Sequence, residues 1–344
     1  PNTMSGVGIN NASNNTIGGN VAGAGNVISG NTEQGIWMDN STDTVIQGNR
    51  IGTNAAGDAA IANGVMGIVL ESGVTGAQIG GTTAFERNVI SGNGSDGIFV
   101  NGADNTVIQG NYLGTSAAGN ADLGNGGDGI LADNSADNTN ILNNVVSGND
   151  DDGLDIKNSS GTIIQGNYVG LSADGLSALG NANEGILIDN TSGSTIGGAN
   201  LSERNIVSNH VYGIRFNGAG ATGNTVQGNY VGTDVNGTAD LGNSSYGVSL
   251  RNGAFNNTIG GTAAGVGNLI AFNGIGIELE TTAGLGNRIS GNAIDDNDQL
   301  GIDLAGGTED GNGVTANDGG VAYDGDSGPN ALQNYPVLLS SVTE

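Results

Sequence analysis

The hexapeptide Asn-Val-Ile-Ser-Gly-Asn stands at 26–31 and returns unchanged at 88–93. It alternates with Thr-Val-Ile-Gln-Gly-Asn at 44–49 and again at 106–111. Looser copies of the first lie at 144–149, 205–210 and 268–273, and of the second at 162–167 and 224–229. Between them runs a Gly-Ile-x-apolar segment or a variant of it, starting at Gly35, Gly67, Gly97, Gly129, Gly153, Gly185, Gly213, Gly247, Gly276 and Gly301. These starts are 24 to 34 residues apart, and each interval holds three short apolar segments parted by turn residues. A fixed period of this size is the mark of a stacked repeat.

The segments are too short for helices, are rich in β-branched residues, and alternate with period two. In Gly185-Ile186-Leu187-Ile188-Asp189, the two isoleucines face one way and Leu187 and Asp189 the other. A lone coil cannot bury its apolar side, whereas stacked coils place isoleucine on isoleucine and give every strand two ladder partners. The chain is therefore all-β, a right-handed parallel β-helix of about ten or eleven three-stranded coils and roughly 50 Å long. The coils are too long and irregular for a left-handed hexapeptide helix. Residues 1–305 form the coils, and 306–344 an acidic Gly/Asp-rich loop and terminal segment leading toward a following module.

In successive coils Asn26, Asn49, Asn88, Asn111, Asn144, Asn167, Asn205, Asn229, Asn268 and Asn292 fall at one place, each two residues before an aliphatic side chain. This alignment predicts an asparagine ladder along one sharp corner, with αL backbone at these residues and amides bonded to each other and to turn backbone. A longer period, near 60 residues, relates the loops at 52–63, 114–125, 170–181 and 232–243, which should project on one flank from alternate coils. Other loops follow the Gly-Gly pairs at 18–19, 80–81, 197–198 and 260–261.

Composition narrows the function. Of 344 residues 67 are Gly, without collagen's strict period, and the net charge is −27 from 34 acidic and 7 basic side chains. Nucleic acid is excluded as a partner, since phosphate neutralisation needs clustered Lys and Arg. No apolar run reaches the ~18 residues of a membrane span. Without Cys, disulfides and thiolate metal sites are impossible, and a single His argues against a transition-metal catalyst. His210, lying where other coils carry the Asn of Ser-Gly-Asn, is expected to be a turn residue. The start at Pro1 reads as that of a processed or excised piece of a longer extracellular or cell-surface protein.

Register also predicts two outward columns on the Gly-Ile strands. The first is Trp37, Val69, Phe99, Leu131, Asp155, Leu187, Arg215, Ser249, Glu278, Asp303, and the second is Asp39, Glu71, Asn101, Asp133, Lys157, Asp189, Asn217, Arg251, Glu280, Ala305. Trp37, Val69, Phe99 and Leu131 form an apolar strip, either a satellite core under a loop or a surface for a glycan or a protein partner. Asp96, Asp128, Asp152 and Glu184 each precede a Gly-Ile strand, and the expectation is that they splay into solvent, the alternative being a cation between them. Asp318, Asp324 and Asp326 make a second acidic region with the look of a Ca²⁺ turn.

These repeats resemble the parallel β-helix repeat domains of large bacterial surface and secreted proteins, and Gly-Pro-Asn-Ala-Leu-Gln-Asn-Tyr-Pro-Val-Leu at 328–338 looks like the end of such a domain before a following module. The likeness spans nearly the whole chain and implies the fold. For function it implies a range from adhesins and tail spikes to pectin-degrading enzymes and uronan epimerases. Asp-Asp-Gly-Leu-Asp at 151–155 resembles the Ca²⁺ motif of some β-helix pectate lyases, which implies Asp151, Asp152 and Asp155 as ligands. In that family the base comes from a later coil, where this chain has Asp189 and Arg215; Lys157, its only lysine, is the other candidate. The Gly-His-Gly and Arg-Ile-Lys elements of β-helix pectin hydrolases are absent. The expectation is thus a non-enzymatic structural or adhesive domain, with Ca²⁺ or carbohydrate as ligand. The alternative is a Ca²⁺-dependent lyase or epimerase on acidic glycans using Lys157, Asp189 and Arg215.

Overall fold

A computed structural model describes residues 2–306. The chain winds through three parallel sheets, one of eleven strands and two of ten, and in each sheet every third strand of the chain is the next neighbour. That is a β-helix of ten full turns and an eleventh opening strand. The first sheet carries the Gly-Ile strands, such as Ile36–Asp39, Ile98–Asn101 and Glu184–Asp189. The second carries strands such as Val45–Gln47 and Val107–Gln109, and the third short pairs such as Arg50–Ile51 and Tyr112–Leu113. Gly306 ends the described chain, so the acidic terminal region and Asp318, Asp324 and Asp326 lie outside the described residues.

Like stacks on like. Ile36, Ile68, Ile98, Ile130, Leu154, Ile186 and Ile214 are in register on the first sheet, and all are fully buried. Ile46, Ile79, Ile108, Ile141 and Ile164 do the same on the second, and Ile51, Ile90, Leu113, Val146 and Val169 on the third. The glycine of the Gly-Ile motif has a steric cause: a Cβ on Gly35 would lie 2.6 Å from the Gly67 carbonyl oxygen, and one on Gly67 2.5 Å from that of Gly97. Coils approach too closely there for any side chain.

The predicted asparagine ladder is present. The backbone N–H and the side-chain Nδ2 of Asn49 both donate to Asn88 Oδ1, at 2.9 and 3.0 Å, and Asn88 repeats the pair onto Asn111 at 3.2 and 2.9 Å. The pattern continues through Asn144, Asn167, Asn205, Asn229 and Asn268 to Asn292. The second Nδ2 hydrogen goes to main-chain carbonyls, as from Asn111 to Ile79 and Gln109 at 2.9 and 3.1 Å. The αL expectation needs correction: the ladder residues are not left-handed. The residue just before six of them is, at Gly48, Gly110, Asn143, Gly166, Gly228 and Gly291. At those coils that residue turns the corner, whereas Asn26, Asn88, Asn205 and Asn268 enter the ladder without a left-handed residue before them.

A second full ladder was not foreseen. It runs through Asn31, Asn63, Asn93, Asn125, Asn149, Asn181, His210, Asn243, Asn273 and Asn297. A shorter one joins Asn224, Asn257 and Asn287. His210 is thus a ladder member at a corner, where its imidazole replaces an amide. Asn181 Nδ2 can only donate, so Nε2 accepts (3.1 Å), and Nδ1–H donates to Asn243 Oδ1 (3.2 Å). Burial holds its pKa down at about 4 against the opposing Asn243 hydrogen bond.

The repeated loops leave the third sheet as expected, from alternate coils and on one flank. Each is closed by an antiparallel bridge, Thr53–Ala60, Thr115–Asp122, Leu171–Ala178 and Thr233–Asp240. Their tips also join one another, through Ala117 N–H to Gly57 O, Ala173 N–H to Gly119 O and Val235 N–H to Gly175 O.

Two outcomes follow from the ladders. Asn111→Ala leaves the Asn88 donors buried and unanswered, and should lower stability by about 3 kcal/mol in urea unfolding. For His210, the unfolded chain takes up a proton near pH 6.5 while the folded one resists until about pH 4. Its contribution is therefore complete above pH 6.5 and is lost as pH falls toward 4. His210→Asn should remove that loss, so that relative to the variant the natural protein weakens by about 3 kcal/mol between pH 7 and pH 4.

Candidate functional site

Both outward columns of the first sheet stand as the register predicted wherever strands pair. Trp37, Val69, Phe99, Leu131, Asp155, Leu187, Arg215, Ser249, Glu278 and Asp303 are consecutive partners. Lys157, Asp189, Asn217 and Arg251 are likewise consecutive in the second column. The first column changes character at Asp155, apolar on the amino-terminal side and ionisable beyond. In the apolar part Trp37, Phe99 and Leu131 are half-buried and Val69 is buried.

The acidic residues before the Gly-Ile strands do not splay into solvent. Asp96, Asp128, Asp152 and Glu184 are all buried. The physical reason is a third kind of ladder: Asp96 Oδ1 accepts the backbone N–H of Asp128 (3.0 Å), Asp128 Oδ1 that of Asp152 (3.0 Å), and Asp152 Oδ1 that of Glu184 (2.9 Å). Like charges at strand spacing are then relieved by proton uptake. Burial, with the Asp155 charge behind it, pushes the Asp128 carboxyl up to about 8. Burial also raises Asp152, which shares a hydrogen bond with Glu184 that favours its protonated form. For Glu184 burial pushes upward too, but the Asp152 hydrogen bond and the Arg215 guanidinium outweigh it and hold the carboxyl below its usual range.

Of the three ligands implied for a cation, the structure keeps two together. Asp151 and Asp152 gather with Asp128 from the preceding coil, one oxygen from each lying within 4.8 Å of the others. A hard dication with oxygens at about 2.4 Å spans such a set, so this acidic triad fits a metal ion. Asp155 stands apart from that set: it pairs with Lys157, while its Oδ1 is buried with no hydrogen-bond partner. Burial pushes the Asp155 carboxyl up to about 6 against the pull of Lys157. Asp128 was missed as a ligand because it lies 24 residues upstream, although its place in the acidic column was legible.

The candidate catalytic set is divided. Lys157 and Asp189 are register neighbours. Asp189 accepts hydrogen bonds from Asn217 Nδ2 (2.9 Å) and Asn190 Nδ2 (3.0 Å). Burial lowers the Lys157 pKa, but the Asp155 carboxylate, with Asp128 and Asp152 behind it, outweighs burial and raises it. Arg215 turns to the corner instead, with Nη1 2.7 Å from Glu184 Oε1, Nη2 3.5 Å from Glu280 Oε1, and its guanidinium 3.6 Å from the centre of the Tyr212 ring. Tyr212 stacks in turn on Tyr246, with ring centres 5.5 Å apart. Glu278 completes this end, its carboxyl pushed up to about 7 by burial and by Glu280.

Arg215→Ala strands Glu184 as a buried charge beside Asp152 and should lower stability by about 3–5 kcal/mol in urea unfolding. Adding Glu184→Gln to that variant should restore a large part of the loss.

No curated protein sequence matches the chain. Solved structures similar to it include a mutant of the periplasmic alginate epimerase AlgG, at 14% identity and a TM-score of 0.45, over 78% of this chain and 66% of that one. The Azotobacter vinelandii mannuronan C-5 epimerase AlgE4 A-module is 17% identical with a TM-score of 0.41, over 85% of this chain and 75% of that one. DFA-IIIase from Arthrobacter chlorophenolicus, without its lid, is 14% identical with a TM-score of 0.37, over 81% and 67%. The chain spans about two thirds of the AlgG structure's length. No helix among the described residues is long and apolar enough to cross a membrane. The model of the right handed beta helix region matches residues 68–264, more than half of the sequence, and the chain belongs to that family.

Proposed function

We propose that this β-helix is a non-enzymatic structural or adhesive rod of an extracellular protein, with Ca²⁺ held by Asp128, Asp151 and Asp152. The observation that carries the reading is the state of Lys157. A lyase or epimerase on this face needs a base that gives up its proton near neutrality, and the only lysine is kept as an ammonium by Asp155. Arg215 is likewise committed to Glu184 and Tyr212, and His210 to the ladder. A rod has use for all three as fasteners. The cation has a supporting role: it replaces the protons that the buried Asp128 and Asp152 otherwise take up, joining two coils.

The competing reading is a Ca²⁺-dependent lyase or epimerase acting on acidic glycans through Lys157, Asp189 and Arg215. The net charge of −27 repels such a polymer over the whole rod. Incubation with polygalacturonate and polymannuronate in Ca²⁺ should yield no ultraviolet-absorbing unsaturated product and no change in the anomeric proton spectrum. Turnover that Lys157→Met abolishes would overturn the structural reading. Calorimetry with Ca²⁺ alone should show binding that Asp151→Asn and Asp128→Asn each weaken, and Ca²⁺ should raise the unfolding temperature of the natural protein more than that of either variant.

A further inference from the structure

We infer that the apolar strip on the amino-terminal half of the first sheet is a binding platform for an uncharged β-1,4-linked glycan, with Trp37 and Phe99 as its two stacking rings. The inference deepens the adhesive reading by naming what the rod adheres to.

Register sets the geometry. Trp37, Val69 and Phe99 are consecutive partners on adjacent strands, so the backbone positions that carry the two rings are two coil rises apart, about 9.6 Å. That is close to the length of one disaccharide in an extended β-1,4 chain. Successive sugars in such a chain are flipped, so every second one presents the same face. A row with half-buried rings at alternate places meets like faces with rings, while Val69 between them is buried and leaves the flipped sugar without a ring of its own. The electron-rich face of an aromatic ring attracts the C–H face of a pyranose. An α-1,4 chain curves away from a straight row and meets one ring at most.

The surroundings fit the same ligand. Gly8 is the strand partner of Trp37 on the amino-terminal side, so no side chain from that coil stands over the indole. Alongside runs the second column, with Asp39, Asn101 and Asp133 half-buried on the same face. Asn101 donates to Glu71 at 2.6 Å, which keeps that carboxylate beside the strip. Carboxylates in such a row accept hydrogen bonds from sugar hydroxyls, and they repel a glycan that carries carboxylates of its own. Charge thereby selects an uncharged polymer and turns uronans away.

The chain has a single tryptophan, so its fluorescence reports on this strip and nowhere else. Titration with cellohexaose or chitohexaose should change the Trp37 emission saturably. Phe99→Ala should weaken binding about tenfold with an unchanged urea unfolding curve. Trp37→Ala, read by retardation in gels containing a soluble β-1,4-glucan, should lose it as well. The inference is overturned by the absence of any response to these oligomers, or by an equal response to maltohexaose or oligogalacturonate. It is equally overturned if light scattering shows a concentration-dependent dimer in which the indole emission shifts without glycan, because a second copy would then own the strip. Hydrolysis of a bound hexamer would sink the non-enzymatic reading and leave the platform standing, whereas no binding and no turnover would sink the platform alone.

Discussion

The amide hydrogen bond from one asparagine to the next, repeated once per coil, is the constraint on which this architecture rests. A parallel β-helix has little choice at its corners: the chain must turn sharply, and the turn buries backbone carbonyls that no strand can serve. An inward asparagine meets both needs. Its oxygen accepts two N–H groups from the preceding coil, while its nitrogen reaches the next oxygen and a corner carbonyl, as Asn111 does for Asn144 and for Ile79 and Gln109. Because the group is self-complementary along the axis, it repeats without accumulating unpaired valence. Two corners carry such ladders end to end. The third has no such ladder over its first coils, where Thr44, Thr106 and Thr162 are buried with hydroxyls that find no hydrogen-bond partner, and gains one only at Asn224, Asn257 and Asn287.

The same translation that favours asparagine and isoleucine penalises aspartate. Stacking a residue on its own kind at about 4.8 Å strengthens dispersion and amide bonding, but it sets carboxylates against each other. In Asp96, Asp128 and Asp152 the conflict is resolved locally. One oxygen of each carboxylate accepts a main-chain N–H from the coil below, and burial then makes a proton or a cation the cheapest neutraliser for the rest. The column closes at Glu184, where Arg215 supplies a permanent positive charge. An acidic stack of this sort is a property of the repeat before it is a property of any site.

What the sequence disclosed and what it hid divide along that line. Period-two alternation and fixed repeats name which residues share a column, so the outward rows from Trp37 to Asp303 and the ladder from Asn26 to Asn292 were legible. Whether a column points in or out at a corner was not. That is set by the backbone of each corner, which varies: a left-handed residue precedes Asn49 and Asn144, at Gly48 and Asn143, but none precedes Asn88 or Asn205. The second ladder stayed hidden for a related reason. Four of its ten members, Asn63, Asn125, Asn181 and Asn243, end the long loops, and only the bridges that close those loops bring them level with Asn31, Asn93 and Asn149. Asp128 escaped notice as a ligand because a motif read along the chain does not see the coil above it.

The distribution of positive charge says how the two halves of the rod differ. The chain has seven basic residues, and three of them, Lys157, Arg215 and Arg251, lie on strands of the first sheet carboxyl-terminal to the apolar strip. Each meets a polar or acidic neighbour there: Lys157 on Asp155, Arg215 on Glu184, and Arg251 on Asn217 at 3.1 Å. Scarce cations are thus placed where stacked acids are buried. Trp37, Phe99 and Leu131 have no such charge among them, and only a fringe of carboxylates alongside. Because a solenoid's coils interact mainly with their neighbours, the two regions are independent in energy though continuous in backbone. The carboxyl-terminal half is held together by its own charges, and the amino-terminal half keeps an apolar face that its ladders and core do not require.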